Sequence, residues 1–162
     1  MKGDVYKGQF LNNKRNGLGR QIFSSGDCYE GNFINGRAFG EGKYFWMDSG
    51  KVYEGQFFDN LMHGVGKETS PDGSMYQGEY IKSEKSGTGM FLFKDGGKYV
   101  GDVRNGVIEG KGRSEAPNGE IYKGEWRDNK KWGRGELQLP DGSVYRGEFQ
   151  NDRFNGQGEM KM

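Results

Sequence analysis

The chain has 162 residues, of which 31 are Gly, while Leu, Ile, Val and Phe together supply only 29. So few aliphatic side chains would suit disorder, yet 24 basic residues balance 23 acidic ones and Phe, Tyr and Trp total 23, so the chain is expected to fold on aromatic rings. A net charge of +1 gives no field to hold nucleic acid, a single Cys and a single His leave no Cys/His metal set, and no apolar run approaches the ~18 residues of a membrane span.

An internal period organises the sequence. A Tyr-x-Gly unit begins at Tyr6, Tyr29, Tyr53, Tyr76, Tyr99, Tyr122 and Tyr145, at steps of 23 residues with one step of 24 between Tyr29 and Tyr53. Eleven residues after each Tyr stands Gly-x-Gly, from Gly17/Gly19 to Gly156/Gly158, and a turn Gly closes each of the first six copies, so the repeat accounts for 27 of the 31 glycines. Within a copy the first run alternates. Tyr6, Gly8 and Phe10 share one face, and Lys7, Gln9 and Leu11 the other, which is the period of a β-strand with one aromatic and one mostly polar face.

Six residues after each Tyr comes a hairpin signal: Asn12-Asn13, Asn35-Gly36, Asp59-Asn60, Asn105-Gly106, Asp128-Asn129 and Asn151-Asp152, with Lys82-Ser83 as the exception. A second run follows Gly-x-Gly, as in Met90-Phe91-Leu92-Phe93, and ends in Asp-Gly or Asn-Gly. The expected fold is all-β: seven consecutive hairpins forming an elongated single antiparallel sheet of about fourteen strands. The glycines fit a packing code in which a Tyr ring lies over a Gly of the neighbouring strand, where any Cβ would push it away.

The unit Tyr-x-Gly-x-(Phe/Trp), followed by Gly-x-Gly, resembles the MORN (membrane occupation and recognition nexus) repeat, as in Tyr122-Lys-Gly-Glu-Trp126 to Gly133-Arg-Gly135. The resemblance covers essentially the whole chain and implies a hairpin solenoid with an aromatic groove. In most members the array is an adaptor joined to something else, so it fixes fold better than function.

Local departures add expectations. The slot four residues after each Tyr holds a ring except at Val103, which predicts a weak point in copy five. The extra residue of copy two, within 43–49, predicts a bulge. The seventh copy stops at Met162, partway through its second strand, so the sequence reads as a piece of a longer protein whose last hairpin offers an edge for a homodimer.

Catalysis finds no support. Gly-x-Gly recurs seven times between strands, without the following helix a phosphate loop needs. Acid pairs such as Asp27 and Glu30 or Glu54 and Asp59 read as a solvated surface, His63 as a loop-edge residue, and Cys28 as an apolar filler. No enzyme activity, cofactor or metal is expected.

Three binding readings follow. The first is a scaffold whose groove, lined by Tyr44, Trp46, Phe57, Tyr80, Phe91, Phe93 and Trp126, takes a partner helix or extended peptide. The second is contact with anionic phospholipid headgroups through Arg127, Lys130, Lys131 and Arg134 around Trp132. The third is a regulatory arm of a larger enzyme. The outward columns vary between copies and single out no patch. The expected setting is cytoplasmic, at the cytoskeleton or the inner face of a membrane.

Overall fold

The structure is a computed structural model and describes residues 3–162. Its described residues contain no helix, and fourteen strands follow one another in chain order in one sheet. The chain divides into two compact units at Glu84/Lys85. The first holds β1 (Val5–Leu11), β2 (Lys14–Ile22), β3 (Cys28–Ile34), β4 (Arg37–Phe45), β5 (Val52–Phe58), β6 (Leu61–Thr69) and β7 (Met75–Ile81). The second holds β8 (Glu84–Leu92), whose first residue lies at the division, and β9 (Lys98–Arg104), β10 (Val107–Glu115), β11 (Ile121–Arg127), β12 (Lys130–Gln138), β13 (Val144–Gln150) and β14 (Arg153–Lys161). Each repeat is thus one hairpin of a seven-residue and a nine-residue strand.

The two-residue turns are set by backbone sign. Both central residues are left-handed in every copy, as in Asn12 and Asn13 (φ 49° and 60°) or Asp59 and Asn60 (φ 51° and 69°), the conformation that matches the twist of the flanking strands. Lys82 and Ser83, the sequence exception, take the same turn (φ 48° and 68°). The second turn residue also clasps the preceding hairpin. Ala38 N–H donates to Asn60 Oδ1 at 2.8 Å, Ile108 N–H to Asn129 Oδ1 at 2.8 Å and Lys131 N–H to Asp152 Oδ1 at 2.8 Å, and Ser83 Oγ accepts the Met62 N–H at 3.2 Å.

The nine-residue strand exceeds its partner because it carries a bulge. Register shifts between Gly8 and Phe10 in the first hairpin and between Gly55 and Phe57 in the third. The first glycine of Gly-x-Gly turns the chain there, with φ 100° at Gly64 and 104° at Gly110. A side chain from the opposite strand closes the bulge: Val65 N–H donates to Gln56 Oε1 at 2.9 Å and Lys111 N–H to Asp102 Oδ2 at 2.8 Å. This third slot after the Tyr holds an amide or a carboxylate in all seven copies, a role the sequence reading did not assign.

The second glycine of Gly-x-Gly and the glycine of Tyr-x-Gly are both covered by the same ring. A Cβ on Gly66 would stand 2.3 to 2.4 Å from Tyr53 ring atoms, and one on Gly112 would stand 2.4 to 2.5 Å from Tyr99. Each ring lies back along its own strand, because the Tyr hydroxyl donates to the backbone carbonyl three residues on: Tyr53 to Gln56 at 2.8 Å, Tyr99 to Asp102 at 2.8 Å.

The rings then form an edge-to-face ladder. In the first unit Tyr29 meets Phe33 of its own hairpin at 5.0 Å and Phe57 of the next at 5.0 Å, and Tyr53 meets Phe57 at 5.1 Å and Tyr80 at 5.0 Å. In the second, Tyr99 meets Trp126 at 5.3 Å, and Tyr122 meets Trp126 at 5.2 Å and Phe149 at 5.0 Å. Such pairs contribute about 0.5–1.5 kcal/mol each beyond area burial. Val103, in the slot without a ring, is buried all the same.

The copy-two insertion does not make a bulge. β4 and β5 pair without a register shift, and the extra residue is taken up by the connecting turn, where Gly50 N–H reaches back four residues to Trp46 O while Gly26 N–H reaches back three to Phe23 O.

Candidate interaction surfaces

The ladder decides which rings remain open. Of the seven residues expected to line a partner groove, Phe57, Tyr80 and Trp126 are interior, only 6%, 2% and 9% exposed. They are the rungs between hairpins, so a partner cannot touch them while the ladder is intact. Tyr44 and Trp46 keep open ring surface in the first unit, 4.8 Å apart, with the Tyr44 hydroxyl donating to Asp27 at 3.1 Å. Phe91 and Phe93 stack at 5.8 Å in the second unit, and Phe93 is exposed.

Cations cover part of this face. The Arg15 guanidinium lies 5.3 Å from the Phe33 ring centre and hydrogen-bonds the Gln21 side chain, and Lys131 Nζ lies 5.6 Å from the Tyr122 ring centre and 3.9 Å from Glu120. Lys131 therefore does not join the proposed headgroup cluster. Register sets Lys131 against Trp126 and Lys130 against Arg127, and the pleat sends adjacent residues to opposite faces. Arg127, which lies 5.0 Å over Trp132, and the exposed Lys130 and Arg134 are on the other side, with Arg134 opposite Glu148 in register.

The acid pairs are committed separately. The Met47 N–H, bonded at 2.9 Å, holds the Asp27 carboxyl below its ordinary range, and Lys43, bonded at 2.8 Å, does the same for Glu54. Asp59 pairs with Arg37. His63 lies within β6, where its Nδ1 accepts the Lys82 N–H at 3.2 Å. Cys28 is half-buried, and its Sγ accepts the Arg20 Nε–H at 3.3 Å.

The open trough of the first unit is on the face away from the rings. It has a volume of about 1110 Å³, a floor of backbone at Gly19, Gly31 and Gly42, and a central row in which Arg20, Glu30, Lys43 and Glu54 oppose one another in register. A smaller trough in the second unit repeats the pattern with Glu136 and Arg146, whose side chains bond at 2.6 Å.

Beside the first trough runs a feature the sequence reading missed. The fifth residue after each Tyr points to this face and is apolar in the first four copies: Leu11 is 58% exposed, Ile34 49%, Phe58 60% and Ile81 52%. Phe39 packs edge-on to Phe58 at 5.0 Å and His63 lies 6.1 Å from it, while Leu61 pairs with Phe58 across the hairpin. In the second unit the same slots hold Arg104, Arg127 and Gln150. The outward columns do not vary freely, then; one of them divides by unit. Lining the copies up at the fifth slot would have found it.

A family model described as MORN repeat matches seven times, at residues 6–28, 29–51, 53–75, 76–98, 99–121, 122–144 and 145–161. No curated protein matches the chain by sequence. Among solved structures, the SAS-4 (dCPAP) TCP domain of Drosophila melanogaster, in complex with a Proline Rich Motif of Ana2 (dSTIL), has a similar fold. It is 17% identical over 90% of this chain and 72% of that one, with a TM-score of 0.50. The TCP10 domain of Danio rerio CPAP, in complex with a peptide of Danio rerio STIL, aligns at 16% identity over 90% of this chain and 82% of that one, with a TM-score of 0.29.

Proposed function

The chain belongs to the MORN-repeat family, whose unit it repeats seven times over residues 6–161, and from that premise we propose that it is a non-enzymatic scaffold that holds protein partners on its sheet. The observation that carries this reading is the exposed apolar row Leu11, Ile34, Phe58 and Ile81. The ring ladder on the opposite face already supplies the core, yet these four side chains keep about half of their surface exposed, in a row separated by Lys14 and Arg37 on the strands between, and repeated exposed apolar groups set among charges suit an interaction site. The solved Drosophila domain carries a bound peptide motif, which is the kind of partner a one-layer sheet suits. The setting we infer is cytoplasmic, at a cytoskeletal or cortical membrane assembly.

Self-association through the last hairpin belongs to the same reading. β14 is exposed along its length, with Phe154 50% and Met160 41% exposed. A mass of one chain in light scattering at all concentrations would remove it. A phospholipid reading rests on Arg127, Lys130 and Arg134 beside Trp132, each cation contributing ~1 kcal/mol near an anionic surface. The experiment that separates these is cross-linked affinity capture with the full chain and with Phe58→Asp, run beside liposome co-sedimentation of wild type and Lys130→Glu. Protein capture lost in Phe58→Asp supports the scaffold. Headgroup-dependent sedimentation that Lys130→Glu abolishes, with no protein captured, would replace it by a membrane module.

A further inference from the structure

We propose that the apolar row on the back of the first unit is a track for a polyproline-II segment carrying an apolar side chain at every third position. This rests on the protein-interaction reading above and adds the partner's chemistry. The argument is one of pitch. Leu11, Ile34, Phe58 and Ile81 stand on β1, β3, β5 and β7, at the same slot of successive hairpins. Adjacent strands are about 4.8 Å apart, so residues two strands apart recur about every 9.6 Å.

A chain laid across the strands must present apolar groups at that interval and always on one side. A polyproline-II helix has three residues per turn at 3.1 Å each, so every third side chain faces the same way at about 9.3 Å. An α-helix returns to one face after seven residues, about 10.5 Å. An extended β-strand reverses face at every residue, so its third side chain points away. Over the three intervals of the row, a polyproline-II segment falls short by about 1 Å, whereas an α-helix overshoots by about 3 Å. The row is therefore matched by about nine or ten residues of polyproline II.

Two further observations agree. Phe58 stands between Phe39 and His63, giving the flat ring walls on which a stiff, preformed segment docks at low entropic cost. The backbone carbonyls of such a segment have no internal donors. Lys14 and Arg37, set in register against Leu11 and Ile34 on the strands between, offer donors to them. The track also has an end, because the fifth slot becomes Arg104 and Arg127 in the second unit.

The test uses the full chain and three fluorescein-labelled peptides: twelve residues of repeating Leu-Pro-Pro, twelve of all-Pro, and a helical sequence of twenty-two residues with Leu at every seventh position, so that it too presents four Leu. Anisotropy titrations are run on wild type, Ile34→Asp, Phe58→Asp and, as a control off the row, Phe93→Asp, with circular dichroism confirming that each variant folds. We expect Leu-Pro-Pro to bind, at least tenfold more tightly than all-Pro, and its affinity to fall at least tenfold in Ile34→Asp and Phe58→Asp and stay unchanged in Phe93→Asp. No binding of Leu-Pro-Pro, or binding equal across the variants, overturns the proposal. Tighter binding of the helical peptide that is lost in Phe58→Asp assigns the row to a helix and overturns only the partner chemistry. A doubled mass in light scattering that Phe58→Asp returns to one chain assigns it to a second copy. Partner capture that survives Phe58→Asp leaves the scaffold standing without this track.

Discussion

The two units share one face and differ on the other. Both build the same ladder, with Tyr53 and Tyr122 completely buried and each Tyr hydroxyl bonded to its own strand. On the back, the fifth slot is Leu11, Ile34, Phe58 and Ile81 in the first unit and Arg104, Arg127 and Gln150 in the second. The ring face is held constant because a ring fits over a Gly pair only one way, and each ring is also a neighbour's packing partner. The back face has no such constraint, so differences between repeats accumulate there. In an array of this kind the informative residues are the ones that do not obey the repeat.

The units also differ in how many phenols they bury, and alkali is the strongest way to test whether they behave as separate bodies. Burial pushes Tyr29, Tyr44, Tyr53 and Tyr76 up to about 12 in the first unit and Tyr122 up to about 12 in the second, and it raises Tyr80 and Tyr99 as well. The neutral phenol is the form the fold favours, whereas the unfolded chain ionises near pH 10. The contribution is therefore complete below about pH 10 and is lost as pH climbs toward the folded value, at up to about 1.4 kcal/mol per tyrosine per pH unit. Five such tyrosines in the first unit against two in the second predict that the first opens at lower pH. Pulse proteolysis along a titration from pH 9 to 12, with absorbance at 295 nm following ionisation, should show cleavage within residues 3–84 first. Simultaneous loss would mean that the two units unfold as one.

The shared face predicts equal damage in both units. Gly66→Ala places a methyl 2.3 Å from the Tyr53 ring and Gly112→Ala places one 2.4 Å from the Tyr99 ring. Neither ring can yield without leaving its hydroxyl bond and its ladder partner, so each substitution should cost about 3 kcal/mol. Urea midpoints measure it. A small loss at Gly112 and a large one at Gly66 would show that the Val103 repeat is already loose and gives way, which is the weak point the sequence suggests.

The ladder was legible in the sequence because its code uses side chains that repeat at every Tyr and Gly. The hairpin turns were legible because Asn, Asp and Gly carry the left-handed conformation, and Lys82-Ser83 escaped because neither residue advertises it. The buried state of Phe57, Tyr80 and Trp126 was not legible as such. A ring in a slot looks the same whether it lines a groove or closes one, and only the distance between successive hairpins decides. Lys130 and Lys131 adjoin in sequence and so read as one cluster, but adjacency in a strand means opposite faces. The apolar row was hidden for the same reason in reverse, its members lying 23 or 24 residues apart and surrounded by charge.

A smaller effect separates one rung from the rest. Tyr80 occupies a slot that is Phe in most copies, and its hydroxyl is buried without a hydrogen-bond partner among the described residues. The other polar rung, Trp126, donates its Nε1–H to Gly112 O at 3.2 Å. Burying an unsatisfied hydroxyl costs about 1–3 kcal/mol, so Tyr80→Phe should stabilise the first unit by roughly 1 kcal/mol, read as a higher urea midpoint. Destabilisation would mean that the hydroxyl has a partner, such as a buried water, and that the rung is polar by need.

The smallest effect concerns the one turn that breaks the Asn and Gly rule. Lys82 holds φ 48° where Asn35 and Asn105 hold 50° and 48°. A left-handed residue with an ordinary side chain costs about 1–2 kcal/mol, and Asn recovers part of that through its short polar side chain. Lys82→Asn should therefore stabilise by about 1 kcal/mol, provided the clasp from Ser83 Oγ to Met62 N–H and the His63 Nδ1 acceptor are left in place. The mirror substitution Asn105→Lys, in the second unit, should lose a similar amount. If both changes move the urea midpoint by equal and opposite steps, turn chemistry is additive and local in both units. If Lys82→Asn gains nothing while Asn105→Lys loses, the turn at Lys82 is held by its neighbours rather than by its own residues, and Lys82 is there for its charge.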